Sequence, residues 1–216
     1  MNSIKHTGGA RIGKTNATWP FATLTANEER LDLNATILGN FSFTPQDIVT
    51  LEEHNEFGNK GIRINHKVEA YKEKIIFWTN DPIAIINAVQ STFMNGRGAS
   101  APTIAAVRTK QQQGGFPIKM KAALLLFALW NMCFLYDFYQ FFIANTSNTP
   151  IGNGGMSALA GIVGVSILTL VSRGFRKLIL KPGRELNDVK VFVYFLLFIA
   201  CLMLVSFFFL FNFITH

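Results

Sequence analysis

"VFVYFLLFIACLMLVSFFFLFNFI", Val191 to Ile214, is a run of 24 residues without a single charge. A hydrocarbon core about 30 Å thick is crossed by about 20 apolar residues in a helix, so this run predicts a membrane span. Two further runs precede it. "AALLLFALWNMCFLYDFYQFFIA" (122–144) has 23 residues and one charge, and "GMSALAGIVGVSILTLVS" (155–172) has 18 and none. Together the three hold most of the chain's 21 phenylalanines. The polar start "MNSIKHTGGARIGK" does not read as a cleaved leader, since the first apolar run begins far inside the chain. The expectation is an integral membrane protein with a transmembrane domain over 119–216.

The net charge of +7 is distributed in a way that orients those spans. Residues 1–95 are nearly balanced, with nine Lys/Arg against ten Asp/Glu. Residues 96–121 carry five basic residues and no acid, and the loop from Arg173 to Lys190 carries six against two. "NTSNTPIGNGG" (145–155) is uncharged. Because Lys and Arg flanking a span favour the cytoplasmic side, the pattern predicts residues 1–121 inside and the C-terminus outside a plasma or inner membrane. Basicity that sits beside spans argues against nucleic acid as a partner.

Residues 16–80 read as short strands: 17–26, 30–38, 41–43, 47–54, 61–68 and 74–80. Gly, Pro and Asn punctuate them, and alternation puts Leu31, Leu33 and Ala35 on one face and Ile62, Ile64 and His66 on another. Asp81 suits a helix N-cap and Pro82 the first helical position. Apolar residues at 82, 85, 86, 89 and 93 mark the buried side of a helix ending near Asn95–Gly96. Residues 1–15 are expected to be a flexible N-terminus and 96–118 a flexible basic linker rich in Gly, Ala, Gln and Pro.

The stretch "ATLTANEERLDLNATILGNFSFTPQDIVTLEEH" (22–54), with "GIRINHKV" (61–68) and "KIIFWTNDPIAIINAV" (74–89), resembles pleckstrin-homology-like domains of the GRAM branch. The resemblance covers residues 16–95. It implies an antiparallel β-barrel capped by one C-terminal helix, and hence an α+β chain whose barrel precedes an all-α three-helix membrane region. It implies no particular activity. Lipid-binding members carry Lys and Arg around the first hairpin, where this chain has "TANEER" with Glu28 and Glu29. Lys60, Arg63 and Lys67 are the candidate basic patch elsewhere on the barrel, against the alternative of a solvated strand face.

One motif competes with this picture. Gly8, Gly13, Lys14 and Thr15 in "GGARIGKT" spell G-x-x-x-x-G-K-[ST], the loop that wraps nucleotide phosphates. Such a loop needs an apolar strand before it and a helix after it. Here seven mostly polar residues precede and "NATWPF" follows, so the spelling is read as a flexible lead-in to the first strand.

Within the spans, Asp137 is the only ionisable residue of the first, on a helical face with Trp130, Phe134 and Phe141. It reads either as part of an ion pathway or as a carboxylate near the outer interface bonded to Tyr or water. Ser157/Gly161 and Ala160/Gly164 are small-xxx-small pairs, read as internal packing or as a homo-oligomer face. Cys133 and Cys201 lie in spans and suggest no disulfide or metal. Asn16, Asn34 and Asn145 begin glycosylation sequons, the first two on the cytoplasmic side of this topology. Arg173 to Lys190 mixes basic residues with Phe175, Leu178 and Ile179, and predicts a short amphipathic segment broken at Pro182–Gly183. No catalytic set, cofactor or metal ligand group emerges.

The expectation for function is therefore non-enzymatic: a membrane-anchored adaptor whose barrel meets a protein partner or the membrane surface. The alternative is a small transporter or channel component acting through Asp137. Nucleotide binding through "GGARIGKT" comes third.

Overall fold

The computed structural model describes residues 3–71, 74–94, 98–145 and 152–214. The chain divides into two compact units, Met1–Pro117 and Ile118–His216, each with its own packing. Residues 72–73 of the expected turn, the expected helix end at Asn95–Gly96, and residues 146–151 of the uncharged stretch lie outside the described residues.

The N-terminal unit is built on seven antiparallel strands: β1 (Ile4–Ile12), β2 (Thr15–Ala26), β3 (Leu31–Asn34), β4 (Asn40–Phe43), β5 (Ile48–Glu56), β6 (Asn59–His66) and β7 (Ile75–Trp78). Their order is β4-β3-β2-β1-β7-β6-β5, so the first strand lies between the second and the last, and the sheet curls into a half-barrel. Alternation selects the inner face. Leu31 and Leu33 are fully buried while Asp32 and Asn34 between and after them are not. Ile12, Phe43, Ile62, Ile64, Ile75 and Phe77 complete the inner layer. Helix α1 (Pro82–Val89), continued by a π turn (Gln90–Met94), covers it with Ile85, Val89 and Phe93. The Asp81 carboxylate caps that helix by accepting from the Ala84 amide at 3.2 Å.

Two expectations are corrected here. Within the start expected to be flexible, Ile4–Ile12 form β1, Gly13 and Lys14 the turn that follows, and Thr15 opens β2. Ile4 to Ile12 pair with β2 along one edge, and Gly9 to Ile12 pair with β7 along the other. Pairing on both sides, with Ala10 and Ile12 buried, overrides the weak strand preference of "HTGG". The first hairpin is therefore β1–β2, and "TANEER" closes the second.

The linker expected over 96–118 contains helix α2 (Ala101–Gln112), so one capping helix is too few. Its start is fixed at Glu29, which accepts from the Ser100 amide at 3.4 Å and the Thr103 hydroxyl at 2.5 Å. Its end is fixed by Gln111, whose Nε2 donates to the Ser42 carbonyl at 3.0 Å and to Asp47 Oδ2 at 2.9 Å. Beyond it, the Gly115 carbonyl accepts from the Asn40 amide at 2.7 Å. Helix and tail together cover the β4 edge, which would otherwise present unpaired strand groups.

The C-terminal unit is helical: α3 (Met120–Phe138, continued by a π turn, Tyr139–Ile143), α4 (Asn153–Val171), α5 (Arg173–Ile179) and α6 (Leu186–Ile214). Among the described residues, three helical stretches are long and apolar enough to cross a membrane: Met120–Ile143, Asn153–Val171 and Leu186–Phe209. Helix α4 packs against both α3 and α6 and is the most buried of the three. Helix α5 lies in the segment expected to be amphipathic and ends at Ile179, before Pro182–Gly183, with Ile179 buried and Leu178 exposed. Its C-terminal end is stapled to the start of α3 by the Lys119 amide, which donates to the Ile179 carbonyl at 2.8 Å. Ile179, Leu180, Val189 and Val193 form a small apolar knot there.

Candidate functional site

Letter by letter, "GGARIGKT" is accounted for by hairpin geometry. Ile12 pairs with Thr15, leaving Gly13–Lys14 as a two-residue turn, and Gly13 has φ +61°. A turn with positive φ at its first central position favours glycine there. The Thr15 hydroxyl donates to the Ile12 carbonyl at 2.9 Å, and Lys14 is exposed at the tip. Gly8 and Gly9 lie where β7 passes close. A Cβ on Gly8 would stand 2.2 Å from the Trp78 carbonyl oxygen, and one on Gly9 2.8 Å from the Ala17 carbonyl oxygen. The backbone is strand, tight turn, strand. It does not form the strand–loop–helix that presents amides to phosphate.

That close approach builds the floor of a groove of about 990 Å³ on the N-terminal unit. Trp78 lies on the floor, beside His54 at a ring-centroid distance of 6.0 Å. Gly61, opposite Trp78 in the ladder, has no room for a side chain, since a Cβ would be 2.8 Å from the indole. Two aromatic residues rise at the rim. Trp19 sits where β2 bulges between Ala17 and Ala22, the partners of Ala10 and Gly8, and is 72% exposed. Phe57 occupies the turn between β5 and β6 and is 94% exposed.

The turn holding Phe57 is itself informative. Glu56 pairs with Asn59, and both intervening residues have positive φ, +50° at Phe57 and +80° at Gly58. This is the arrangement that favours Asn-Gly, because a bulky side chain is disfavoured in the left-handed region. Folding alone therefore gives no reason for phenylalanine here.

Beside the aromatics lies an ionic cluster. Glu56 Oε1 is 2.7 Å from Arg11, and its Oε2 is 3.0 Å from Lys74 and 3.3 Å from His54. The Lys74 ammonium foremost, then His54, and also Arg11, hold the Glu56 carboxyl down at about 2. The cluster fixes the hairpin that carries Phe57 with respect to β1 and β7. It presents balanced charge, with Arg11, Lys60, Glu56 and Asp81 all lining the groove. Among the described residues, no three His, Cys, Asp or Glu side chains gather to hold a metal ion.

The basic residues singled out from sequence do not converge. Lys60 lines the groove, whereas Arg63 stands opposite Glu52 in the β5–β6 ladder, and Lys67 follows the far end of β6. Seven residues of extended chain separate Lys60 from Lys67, roughly 23 Å at strand spacing. Trp19, Phe57 and Trp78 were not legible as a set from sequence. The available signals were a Trp-Pro pair interrupting the alternation of β2 and a Phe in an "EFGN" turn.

In the C-terminal unit, Asp137 is buried and engaged. Its carboxylate accepts from the backbone amides of Gly152 at 2.9 Å, Gly154 at 2.8 Å and Gly155 at 2.7 Å. These amides belong to the beginning of α4, where helix N–H groups lack intrahelical partners. Asp137 thus caps α4 from α3, a role that neither a Tyr nor a water partner anticipated. The small-residue pairs differ from the internal-packing expectation. Ser157, Ala160 and Gly161 are exposed, and a Cβ on Gly161 or Gly164 would meet nothing within 4 Å. Helix α4 uses its other side, with Gly154, Ala158 and Leu159 buried.

Compared with known proteins, the chain matches no family model, no curated protein and no solved structure.

Proposed function

We propose that this protein is a non-enzymatic integral membrane adaptor, whose N-terminal half-barrel is a cytoplasmic pleckstrin-homology-like domain of the GRAM type that receives a segment of a protein partner. The strand order, with β1 between β2 and β7 and a helix following the last strand, supports the family reading. The basic segments before α3 and between α4 and α6 support the cytoplasmic placement.

The observation that carries the adaptor reading is Phe57: almost fully exposed, and at a backbone conformation that disfavours it. An aromatic kept at such a position is best understood as a contact residue, and Trp19 across the same groove supplies a second. Trp and Arg are the residues that dominate binding energy at protein interfaces, and both line this groove. The balanced charge of Arg11, Lys60, Glu56 and Asp81 suits a polypeptide with its own mixed polar groups better than a uniformly anionic surface.

A photo-crosslinking residue placed at Trp19, Phe57 or, as control, Glu53 of the full-length protein in its native membrane tests this. The expected result is an adduct with the same polypeptide at Trp19 and Phe57 and none at Glu53. Adducts with lipid alone, or equal labelling at all three positions, would overturn it.

A further inference from the structure

The C-terminal unit contains a second cavity, of about 750 Å³, at the end where α3 begins, α4 ends and α6 begins. Six cationic side chains line it: Lys119, Arg173, Arg176, Lys177, Lys181 and Arg184. One acid, Glu185, lines it with them. Basic residues beside a span follow from membrane topology, but topology does not require six of them to surround one concave space. Six cations beside one acid leave the cavity strongly positive, and a bound anion would lower their mutual repulsion.

The cavity is built on a firm frame. Arg176 Nη1 donates to the carbonyls of Thr169 at 3.0 Å and Leu170 at 2.9 Å, at the C-terminal end of α4. Lys119 Nζ donates to the Lys177 carbonyl at 2.6 Å, which ties the start of α3 to α5. Arg184 is only 7% exposed. Beneath them lies the apolar knot of Ile179, Leu180, Val189 and Val193. Arg173 and Lys177, by contrast, are exposed on α5 and available to a ligand. Burial of Lys181, with the charge of Arg184 nearby, holds its ammonium below the ordinary lysine value, as expected where positive charge is crowded and partly desolvated.

We propose that this cavity binds a phosphate-bearing anion, with Arg173, Lys177 and Lys181 reaching the phosphate and Arg176 and Lys119 fixing the frame. Arginine offers a planar fork of donors and lysine a mobile point charge, and the combination suits phosphate oxygens. Lys119 immediately precedes the first residue of a span, and Leu178 stands exposed on α5. Both place the cavity at headgroup depth when the helices lie in a bilayer. Phosphate chemistry here has two sources, an anionic lipid headgroup or free phosphate.

The full-length protein in neutral detergent is titrated with a short-chain phosphatidic acid, with the matching short-chain phosphatidylcholine, or with inorganic phosphate, and thermal unfolding is followed. Stabilisation by phosphatidic acid but not by the other two identifies a lipid headgroup. Stabilisation by inorganic phosphate as well identifies the free anion. In either case Arg173→Gln with Lys177→Gln is expected to weaken binding roughly 25-fold, near fivefold for each cation removed. Lys190→Gln, outside the cavity lining, is expected to bind like the wild type. Both Gln substitutions are at exposed positions, and unfolding without ligand reports whether the double variant is folded. No stabilisation of the wild type by phosphatidic acid or inorganic phosphate, equal stabilisation by phosphatidylcholine, or equal binding by the double variant, would overturn the proposal.

Discussion

The carboxylate of Asp137 holds the backbone amide of Gly154 at 2.8 Å, and a Cβ on Gly154 would lie 2.1 Å from the carbonyl oxygen of Cys133. One contact thus needs both a carboxylate on α3 and the absence of a side chain on α4. The Gly152 and Gly155 amides share the same carboxylate, so the start of α4 is pinned where it meets α3.

Asp137→Ala strands these amide donors and removes negative charge from a helix N-terminus. Each buried donor left unpaired costs about 1–3 kcal/mol. A large fall in the unfolding temperature of the detergent-solubilised protein is expected, with Asp137→Asn falling between Ala and the wild type. Unchanged unfolding in Asp137→Ala, with loss of a transport activity, would favour the ion-pathway reading instead.

Gly154→Ala and Gly161→Ala form a matched pair on one helix. The first must separate α3 from α4, while the second meets open space and gains helix propensity worth up to about 1 kcal/mol. Circular dichroism melts are expected to show severe destabilisation for Gly154→Ala and none for Gly161→Ala. If crosslinking shows that the protein self-associates, replacing Gly161 with Leu tests whether the exposed small-residue face of α4 is the contact.

At Phe57, stability and binding are expected to move in opposite directions. Phe57→Asn creates the Asn-Gly pair that the turn favours, and relief of the left-handed conformation is worth on the order of 1 kcal/mol. The N-terminal unit should melt higher while the crosslinked partner is lost. A variant that retains the partner would remove Phe57 from the interface.

How much of this was legible in the sequence depended on whether a signal was local. Leu31 and Leu33, or Ile62 and Ile64, declare their strands by alternation alone, and Asp81-Pro82 declares a helix start. Strand β1 was hidden because its evidence is non-local: "HTGGARI" is a poor strand former that becomes one between β2 and β7. Helix α2 did leave a local trace, Ser100 followed by Ala101-Pro102 and a run of helix formers, masked by the surrounding Gly and Gln. The groove arises from a bulge at Trp19 and a turn at Phe57 brought together by the curl of the sheet. Asp137 stood out as a lone carboxylate, but its partners are backbone amides, which no side-chain pattern announces.

Glu56 gives the N-terminal unit a pH signature. Its carboxyl, ordinarily near 4.5, is held at about 2 in the folded state by Lys74, His54 and Arg11. A lowered folded-state value means the contribution is fully present above about 4.5 and is lost as pH falls through about 2. Unfolding temperatures measured across that window should fall, and Glu56→Gln should flatten the slope there. An identical slope in Glu56→Gln would place the acid sensitivity elsewhere.

Lys14→Ala changes an exposed turn tip and should alter stability by no more than about 0.5 kcal/mol. Gly8→Ala should prevent normal packing against Trp78. ATP is expected to shift the unfolding of neither wild type nor Lys14→Ala. An ATP shift in the wild type that disappears in Lys14→Ala would restore the phosphate-loop reading.

The central claim is that the half-barrel faces the cytoplasm while three helices hold it to the membrane. With Cys133 and Cys201 replaced by alanine, a single cysteine at Phe57 or at Asn145 is treated with a membrane-impermeant thiol reagent on intact cells. The account predicts labelling at Asn145 in intact cells and labelling at Phe57 only after permeabilisation. Labelling at Phe57 from outside intact cells would contradict it.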